Sequence, residues 1–210
     1  MFLQKRLSQG AFNLVLGGVT LYGLLANLLM ATLGAPLFAR MNSMVLCIGW
    51  LLLAIIGILL SLFKKLWTRV LAFHLIVIPF GPALSAVLGG YSGSQVLLAI
   101  TLTAIITFGM ILLAYLFPHF FSRLGGVLLV ELLLTLAAYI ITAFLGFPPS
   151  IFTVIFIVVF SLYIGYDWYK AQHIEKTLEN AISAAIDLYL DIINIFTDLL
   201  DLADLLDLFD

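Results

Sequence analysis

The sequence predicts an all-α integral membrane protein with seven transmembrane helices. Three observations carry this prediction: 64% of the residues are hydrophobic, only 10% are charged, and the mean hydropathy is +1.25. Soluble globular proteins average roughly 45–50% apolar and about 25% charged residues. Because one spanning helix takes about 20 mostly apolar residues, 210 residues accommodate six or seven spans and no separate soluble domain.

Polar and Pro/Gly-containing stretches divide the apolar sequence into candidate spans. They cover residues 12–33, 44–63, 70–90, 95–117, 124–146, 151–169 and 181–200, which together predict one transmembrane domain over residues 1–210. The first apolar run is longer than the core of a signal peptide, so we expect it to be retained as a span. In the third span, Pro79 and Pro82 remove backbone donors and are expected to kink or break the helix.

The charges of the loops predict the orientation. With the N-terminus in the cytoplasm, eight of the nine Lys and Arg residues, Lys5 among them, fall on the cytoplasmic side, and only Arg40 falls on the other. Short cytoplasmic loops usually carry this excess of basic residues. We therefore expect a multi-pass protein of the plasma membrane, with its N-terminus in the cytoplasm and its C-terminus on the opposite side.

Acidic residues concentrate at the end of the chain. Ten of the eleven Asp and Glu residues lie from Asp167 onward, and only Glu131 precedes them. At about 100° of turn per residue, five polar side chains in and directly after the seventh span share one helical face. They are Asp187, Asp191, Asn194, Asp198 and Asp201.

Past Asp201 the aspartates recur every three residues and turn off that face, so we expect Asp201 to Asp210 at or beyond the membrane surface.

This acidic helix either lies on the membrane surface or crosses the membrane. Surface helices usually carry Lys and Arg toward the anionic head groups, which favours the spanning alternative. Acidic side chains inside a membrane usually face a wet cavity or a partner and mark ion or proton paths. The sequence therefore offers Asp187, Asn194, Asp198 and Glu131 as candidate residues of an ion path.

The carboxylates suggest proton-dependent cation chemistry. Two buried carboxylates in close contact share a proton and titrate as a unit, which makes a pH-responsive contact. Once deprotonated, they attract hard cations such as Ca²⁺, which prefers six to eight oxygen ligands. The sequence has no D-x-[DN]-x-[DN]-G loop, so we expect weak sites along a path and no tightly bound cofactor. The expected partners are the lipid bilayer, Ca²⁺ and protons, and no nucleic acid.

Several stretches, beginning with "FSLYIGYDWYKAQ" and "LYLDIINIF" near the end of the chain, resemble the Bax inhibitor-1 (TMBIM) family. "FSLYIGYDWYKAQ" and "LYLDIINIF" resemble its last two spans, and "IPFGPALSAVL", "SQVLLAITLTAIITFGMILLAY" and "FSRLGG" resemble its third span, fourth span and fourth loop. The resemblance implies six helices around a central seventh. It also implies the function of the bacterial members, which are pH-sensitive calcium leaks.

The resemblance assigns roles to individual residues. The two aspartates of the family's pH sensor correspond to Asp167 and Asp191, which would form the gate and bind Ca²⁺ weakly. The family also holds an aspartate with a basic residue at the end of the second span, a place that Lys64 or Lys65 takes here. The resulting expectation is a passive calcium-leak channel, and not an enzyme.

Two other functions compete with the channel. The pattern "DLYLD" suggests a Mg²⁺-dependent lipid transferase, because D-x-x-x-D on a helix can hold a metal and a pyrophosphate. That chemistry needs basic residues at the same depth to hold phosphates, and this half of the predicted bundle has them only at its mouth. A membrane-embedded modulator of proteases or of cell-death and stress partners also agrees with the resemblance. It would bind other membrane proteins, and it would not need buried carboxylates.

Overall fold

The structure, a computed structural model, describes residues 6–145 and 150–207, and in these ranges every regular element is an α-helix. Lys5, Gly146 and Asp210, on which some of the expectations depend, lie outside these residues. The helices are α1 (Gln9–Thr32), α2 (Ala35–Phe38), α3 (Ser43–Ser61), α4 (Leu66–Leu88), α5 (Gly93–Leu116), α6 (Pro118–Phe121), α7 (Gly125–Phe144), α8 (Ser150–His173) and α9 (Leu178–Asp207).

Six helices in the described part of the chain are long and apolar enough to cross a membrane. Their spanning segments are Gln9–Thr32, Ser43–Ser61, Leu66–Leu88, Gly93–Leu116, Gly125–Thr142 and Phe152–His173. They correspond to the first six predicted spans, so the prediction of an all-α membrane protein is confirmed. The seventh predicted span lies within α9, which is not among these six, and the count of seven stays a prediction.

Helix ends differ from the predicted ends by a few residues, and at α1 a capping side chain extends the helix past the apolar run. The Ser8 hydroxyl caps α1 by accepting a hydrogen bond from the Ala11 amide at 3.2 Å, so α1 begins three residues before residue 12. The short helices α2 and α6 lie between predicted spans, where the pattern of apolar runs predicts loops. Both have a proline at their start, where its missing N–H costs nothing.

Helix α4 continues through Pro79 and Pro82 without interruption, so the break that these prolines could have caused does not occur. Prolines are tolerated in membrane helices where neighbouring side chains satisfy the disturbed backbone. Trp50 on α3 contacts the backbone of this stretch, since its indole Nε1 donates to the carbonyl of Ile76, three residues before Pro79, at 3.1 Å.

The chain forms two compact units. The first contains the described residues up to Gly90 together with Ile174–Tyr189. In it, α4 packs against α1, α2 and α3, and Ala72, Ile76 and Val77 of α4 are completely buried. Leu7 and Lys176 join the start of α1 to the α8–α9 connection by a backbone hydrogen bond of 2.7 Å.

The second unit contains Tyr91–His173 and the residues from Leu190 onward. In it, α8 packs against α5, α6 and α7. Gly165 allows the close approach of α6, because a β-carbon at this position would overlap the ring of Phe121. The second unit therefore has α8 at the centre of its packing.

Helix α9 contributes Leu178–Tyr189 to the first unit and its remaining residues to the second. It has 30 residues and is therefore roughly 45 Å long, against about 30 Å for the hydrocarbon core of a bilayer. Most of its side chains from Ala181 to Ala203 are buried or half-buried, on both the acidic and the apolar face. This burial distinguishes α9 from the other helices, which expose many large apolar side chains.

Candidate functional site

Asp167 and Asp191, the predicted sensor pair, are both buried in the second unit. Asp167 lies near the end of α8 with 8% of its surface exposed, and Asp191 lies in α9 with 6% exposed. Charged side chains are almost never this deeply buried unless other groups compensate them. The two positions singled out by the motif are therefore unusual on physical grounds as well.

Tyr163 of α8, one helical turn before Asp167, interacts electrostatically with three of the predicted site residues. They are the carboxylates of Asp191, Asp167 and Glu131. These carboxylates come from three helices, α7, α8 and α9. We call Tyr163, Glu131, Asp167 and Asp191 the carboxylate cluster. Tyr163 is a member that the sequence did not single out, although it lies inside the motif stretch "SLYIGYD".

Asp167 has a basic neighbour on its own helix. The Lys170 ammonium lies 3.6 Å from Asp167 Oδ1, and its side chain is 46% exposed, against 10% for that of Asp167. One end of this ion pair is thus close to solvent and the other is buried. The ammonium group thus compensates part of the charge of the buried carboxylate.

Glu131 has a neutral partner. Its Oε1 accepts a hydrogen bond of 2.7 Å from the hydroxyl of Thr135, one turn later on α7. Its Oε2 is buried, and the described residues offer it no hydrogen-bond partner. A buried carboxylate oxygen of this kind is a free acceptor for a proton or a cation.

The other acidic residues of α9 in the second unit become more exposed along the helix. Asn194 and Asp198 are half-buried, and Asp201 and Asp204 are exposed. Asp198 Oδ2 is nevertheless buried, without a hydrogen-bond partner among the described residues. Asp201 is exposed but is held by a neighbour, because its Oδ1 accepts a 2.5 Å hydrogen bond from the Tyr91 hydroxyl.

Tyr91 lies in the connection before α5, outside the candidate spans. Burial raises the pKa of its phenol above the ordinary value, and the hydrogen bond to Asp201 and the charges of Asp201 and Asp204 add to the effect. The hydroxyl therefore keeps its proton and remains a donor at neutral pH.

Asp187 belongs to the first unit, where it interacts with Arg69, one of the eight basic residues predicted on the cytoplasmic side. Arg69, in the first turn of α4, is 8% exposed and interacts electrostatically with Glu179 and Asp187 of α9. Its Nη1 donates to Asn180 Oδ1 at 2.9 Å. We call Arg69, Glu179, Asn180 and Asp187 the arginine cluster.

Lys64 and Lys65, the predicted latch residues, are exposed. Neither side chain has a hydrogen bond or an ion pair with any residue in the described ranges. The buried basic group next to an α9 aspartate is Arg69. A signal in the sequence could have identified it, because position 69 shares a helical face with the apolar residues Ala72, Phe73 and Ile76.

The described residues contain no group of three or more His, Cys, Asp or Glu side chains that could hold a metal ion. The carboxylate cluster presents two buried aspartates and one glutamate with a free oxygen, which is fewer oxygens than a tight Ca²⁺ site uses. Its chemistry is suited to proton exchange and to brief contact with a hard cation.

The apolar helices and the buried carboxylates define the class of this protein as an all-α, multi-pass integral membrane protein. The family model described as inhibitor of apoptosis-promoting Bax1 matches residues 5–207. The chain belongs to this family, the Bax inhibitor-1 family, and the resemblance read from the sequence is confirmed. A search of curated proteins finds no match to the chain.

Proposed function

We propose that the protein is a pH-sensitive passive leak for cations, with Ca²⁺ as the main permeant ion and Asp167 and Asp191 as the gate. One observation carries the proposal. The two buried aspartates interact with the same phenol, Tyr163, from two different helices. Buried ionisable groups inside a membrane protein usually line a path for ions or protons.

The gating step follows from electrostatics. At low pH the two carboxylates share a proton, carry at most one negative charge together, and hold α8 and α9 in contact. Loss of that proton leaves two like charges, which repel each other more strongly in the protein interior than they would in water. Separation of the carboxylates relieves the repulsion and admits water and cations. Flux should therefore rise with pH.

Beyond the gate, α9 offers further oxygens along its length. Asp198 lies seven residues after Asp191, about 10 Å farther along the helix, and Asn194 lies between them. The buried Oδ2 of Asp198 has no hydrogen-bond partner in the described part of the chain and can contact a passing cation. Few oxygens at each position give weak sites, which an ion can leave as readily as it enters.

The test is calcium flux into liposomes that contain only the purified protein, measured against pH. The wild-type protein should show flux that rises with pH, because deprotonation opens the gate. Asp191→Asn should give a flux that does not change with pH, because an amide cannot exchange the shared proton. Asp204→Asn, which changes an exposed aspartate on the same helix, is the matched control and should keep the wild-type profile.

Two outcomes count against the proposal. An unchanged pH profile in Asp191→Asn would reject this residue as part of the sensor. Absence of flux at every pH from folded wild-type protein would reject the leak itself, and would favour the role of a modulator that acts through other membrane proteins.

We also propose that the protein is a multi-pass protein of the plasma membrane with a cytoplasmic N-terminus. The distribution of Lys and Arg supports this orientation.

A further inference from the structure

An open groove of about 600 Å³ runs along the beginning of α4 in the first unit. Its walls are Leu66, Trp67, Val70, Leu71 and His74. Their spacing places them on one face of the helix over about 12 Å, close to the length of ten carbons of an acyl chain. The lining is apolar except at His74, whose Nδ1 is within 2.7 Å of the Val70 carbonyl. Trp67 is 62% exposed.

The groove begins at a strongly positive end of α4. Lys64 and Lys65 directly precede the helix, and both are exposed. Lys65 is the N-cap residue, and its side chain does not cap the helix, so the first N–H groups of α4 lack a side-chain acceptor there. The positive end of the helix dipole adds to the two ammonium charges.

The nearby acidic residues of the first unit do not neutralise this end. Glu175 pairs with Arg6 at 3.1 Å, and Glu179 and Asp187 interact with Arg69. Neither lysine has an ion pair with a described residue. Two positive charges and an apolar groove thus stand next to each other without a partner from the described chain.

We propose that this groove binds an anionic phospholipid. The phosphate contacts Lys64, Lys65 and the start of α4, and an acyl chain lies along Leu66, Val70 and Leu71. Clusters of basic residues at the end of a membrane helix attract anionic lipids, and tryptophan is typical of that depth in the membrane. Because the groove is apolar over about 12 Å, a free phosphate ion would leave most of it empty. The proposal does not depend on the leak function.

Trp67 lies in the groove and can report its occupant. Trp168 is replaced by Phe, and Trp50 stays in place because its indole bonds to the backbone of α4. The part of the quenching that Trp67→Phe abolishes then belongs to Trp67. The protein is reconstituted in mixtures of phosphatidylglycerol and phosphatidylcholine, with dibrominated chains on one lipid at a time. Bromine quenches tryptophan fluorescence only in contact, so the two quenching curves give the relative affinity of the groove for each lipid.

Phosphatidylglycerol should bind more tightly than phosphatidylcholine, by about five-fold for each lysine that contacts the phosphate. In Lys64→Gln/Lys65→Gln the preference should fall to about one, with the total quenching unchanged because the apolar groove remains. Arg40→Gln/Arg123→Gln removes the same number of exposed positive charges elsewhere and should keep the wild-type preference.

Three results would overturn the proposal. The first is a wild-type protein that binds both lipids equally. The second is an equal loss of preference in the Arg40/Arg123 variant, which would indicate an effect of net charge. The third is displacement of the bromine quenching by millimolar glycerol phosphate, which would identify a site for soluble phosphates.

Discussion

Arg69 places a permanent positive charge in the interior of the first unit, where other groups must compensate it. Asn180 accepts a hydrogen bond from its guanidinium, and the charges of Glu179 and Asp187 are close. Removing one partner of a buried charge pair usually costs several kcal/mol, because the remaining charge stays buried without compensation. The arginine cluster therefore fixes the first part of α9 to α4.

Arg69→Gln should lower the free energy of unfolding in detergent by about 1–3 kcal/mol, since it removes charge-assisted contacts but keeps an amide donor. Lys65→Gln removes an exposed charge four residues earlier and should change stability by less than about 0.5 kcal/mol. Thermal unfolding followed by circular dichroism measures both.

The combination of Arg69→Gln with Asp187→Asn should cost less than the sum of the two single changes, because the two charges compensate each other. Strict additivity would show that Arg69 does not interact with Asp187.

For single residues, the sequence identified a site where a motif or a helical periodicity was present. The stretches "SLYIGYD" and "LYLD" identified Asp167 and Asp191, and the structure shows that both are buried. Arg69 was missed because a basic residue beside Lys64 and Lys65 was interpreted as a loop charge. Arg69 differs from those lysines in its contacts with α9, which lies more than 100 positions later in the chain. No local sequence pattern contains such contacts.

The contact between α3 and α4 depends on a glycine. A β-carbon at Gly57 would lie 2.7 Å from Ile76 Cγ1 and 2.9 Å from the Ala72 carbonyl oxygen, so only glycine allows this approach. Gly49, two turns earlier on the same helix, faces open space within 4 Å. Gly57 and Gly49 therefore allow a packed glycine and an unpacked glycine of the same helix to be compared.

In Gly57→Ala, overpacking should lower the free energy of unfolding by about 1–3 kcal/mol. The higher helix propensity of alanine offsets about 1 kcal/mol of this loss. Gly49→Ala has only the propensity gain and should be neutral or slightly stabilising. Denaturation in mixed detergent compares the two. A Gly57→Ala protein as stable as the Gly49→Ala protein would contradict the close approach of α3 and α4.

For whole helices, hydropathy was sufficient to locate six of them. An apolar run in a membrane must be helical, because no water is present to satisfy its backbone. The ends were less predictable, since a cap such as Ser8 depends on one hydroxyl and not on the average over a window. Helix α4 continues through two prolines, which a local rule about proline does not predict, because that rule takes no account of packing against other helices.

The number of membrane crossings can be tested with single cysteines. In a Cys47→Ala background, cysteine is introduced at Ser122, Ala39 or Asp204, which are all exposed. A membrane-impermeant maleimide is then added to sealed vesicles. Seven spans predict that Asp204→Cys reacts from the same side as Ala39→Cys and from the opposite side to Ser122→Cys. Reaction from the side of Ser122→Cys would mean that α9 does not cross.

For the molecule as a whole, composition was enough to establish a membrane protein, and the family match confirms it. The burial of α9 could be predicted only in part. Its acidic face suggested an interior helix, but the extent of burial depends on side chains from elsewhere in the chain, such as Asn27, which donates a hydrogen bond to the Tyr189 hydroxyl. Average hydropathy does not record such contacts.

The position of α9 in the chain has consequences for its insertion into the membrane during synthesis. Alone in lipid, each of its aspartates near the centre of a span would cost about 2.5–3.5 kcal/mol, whereas Asn27 and Arg69 give its polar groups protein partners. Because α9 follows α1 to α8 in the chain, the ribosome releases it after those partners have been made. We therefore expect α9 to enter as a late, assisted step of biogenesis, and a shortened chain that lacks its partners should leave it outside the bilayer.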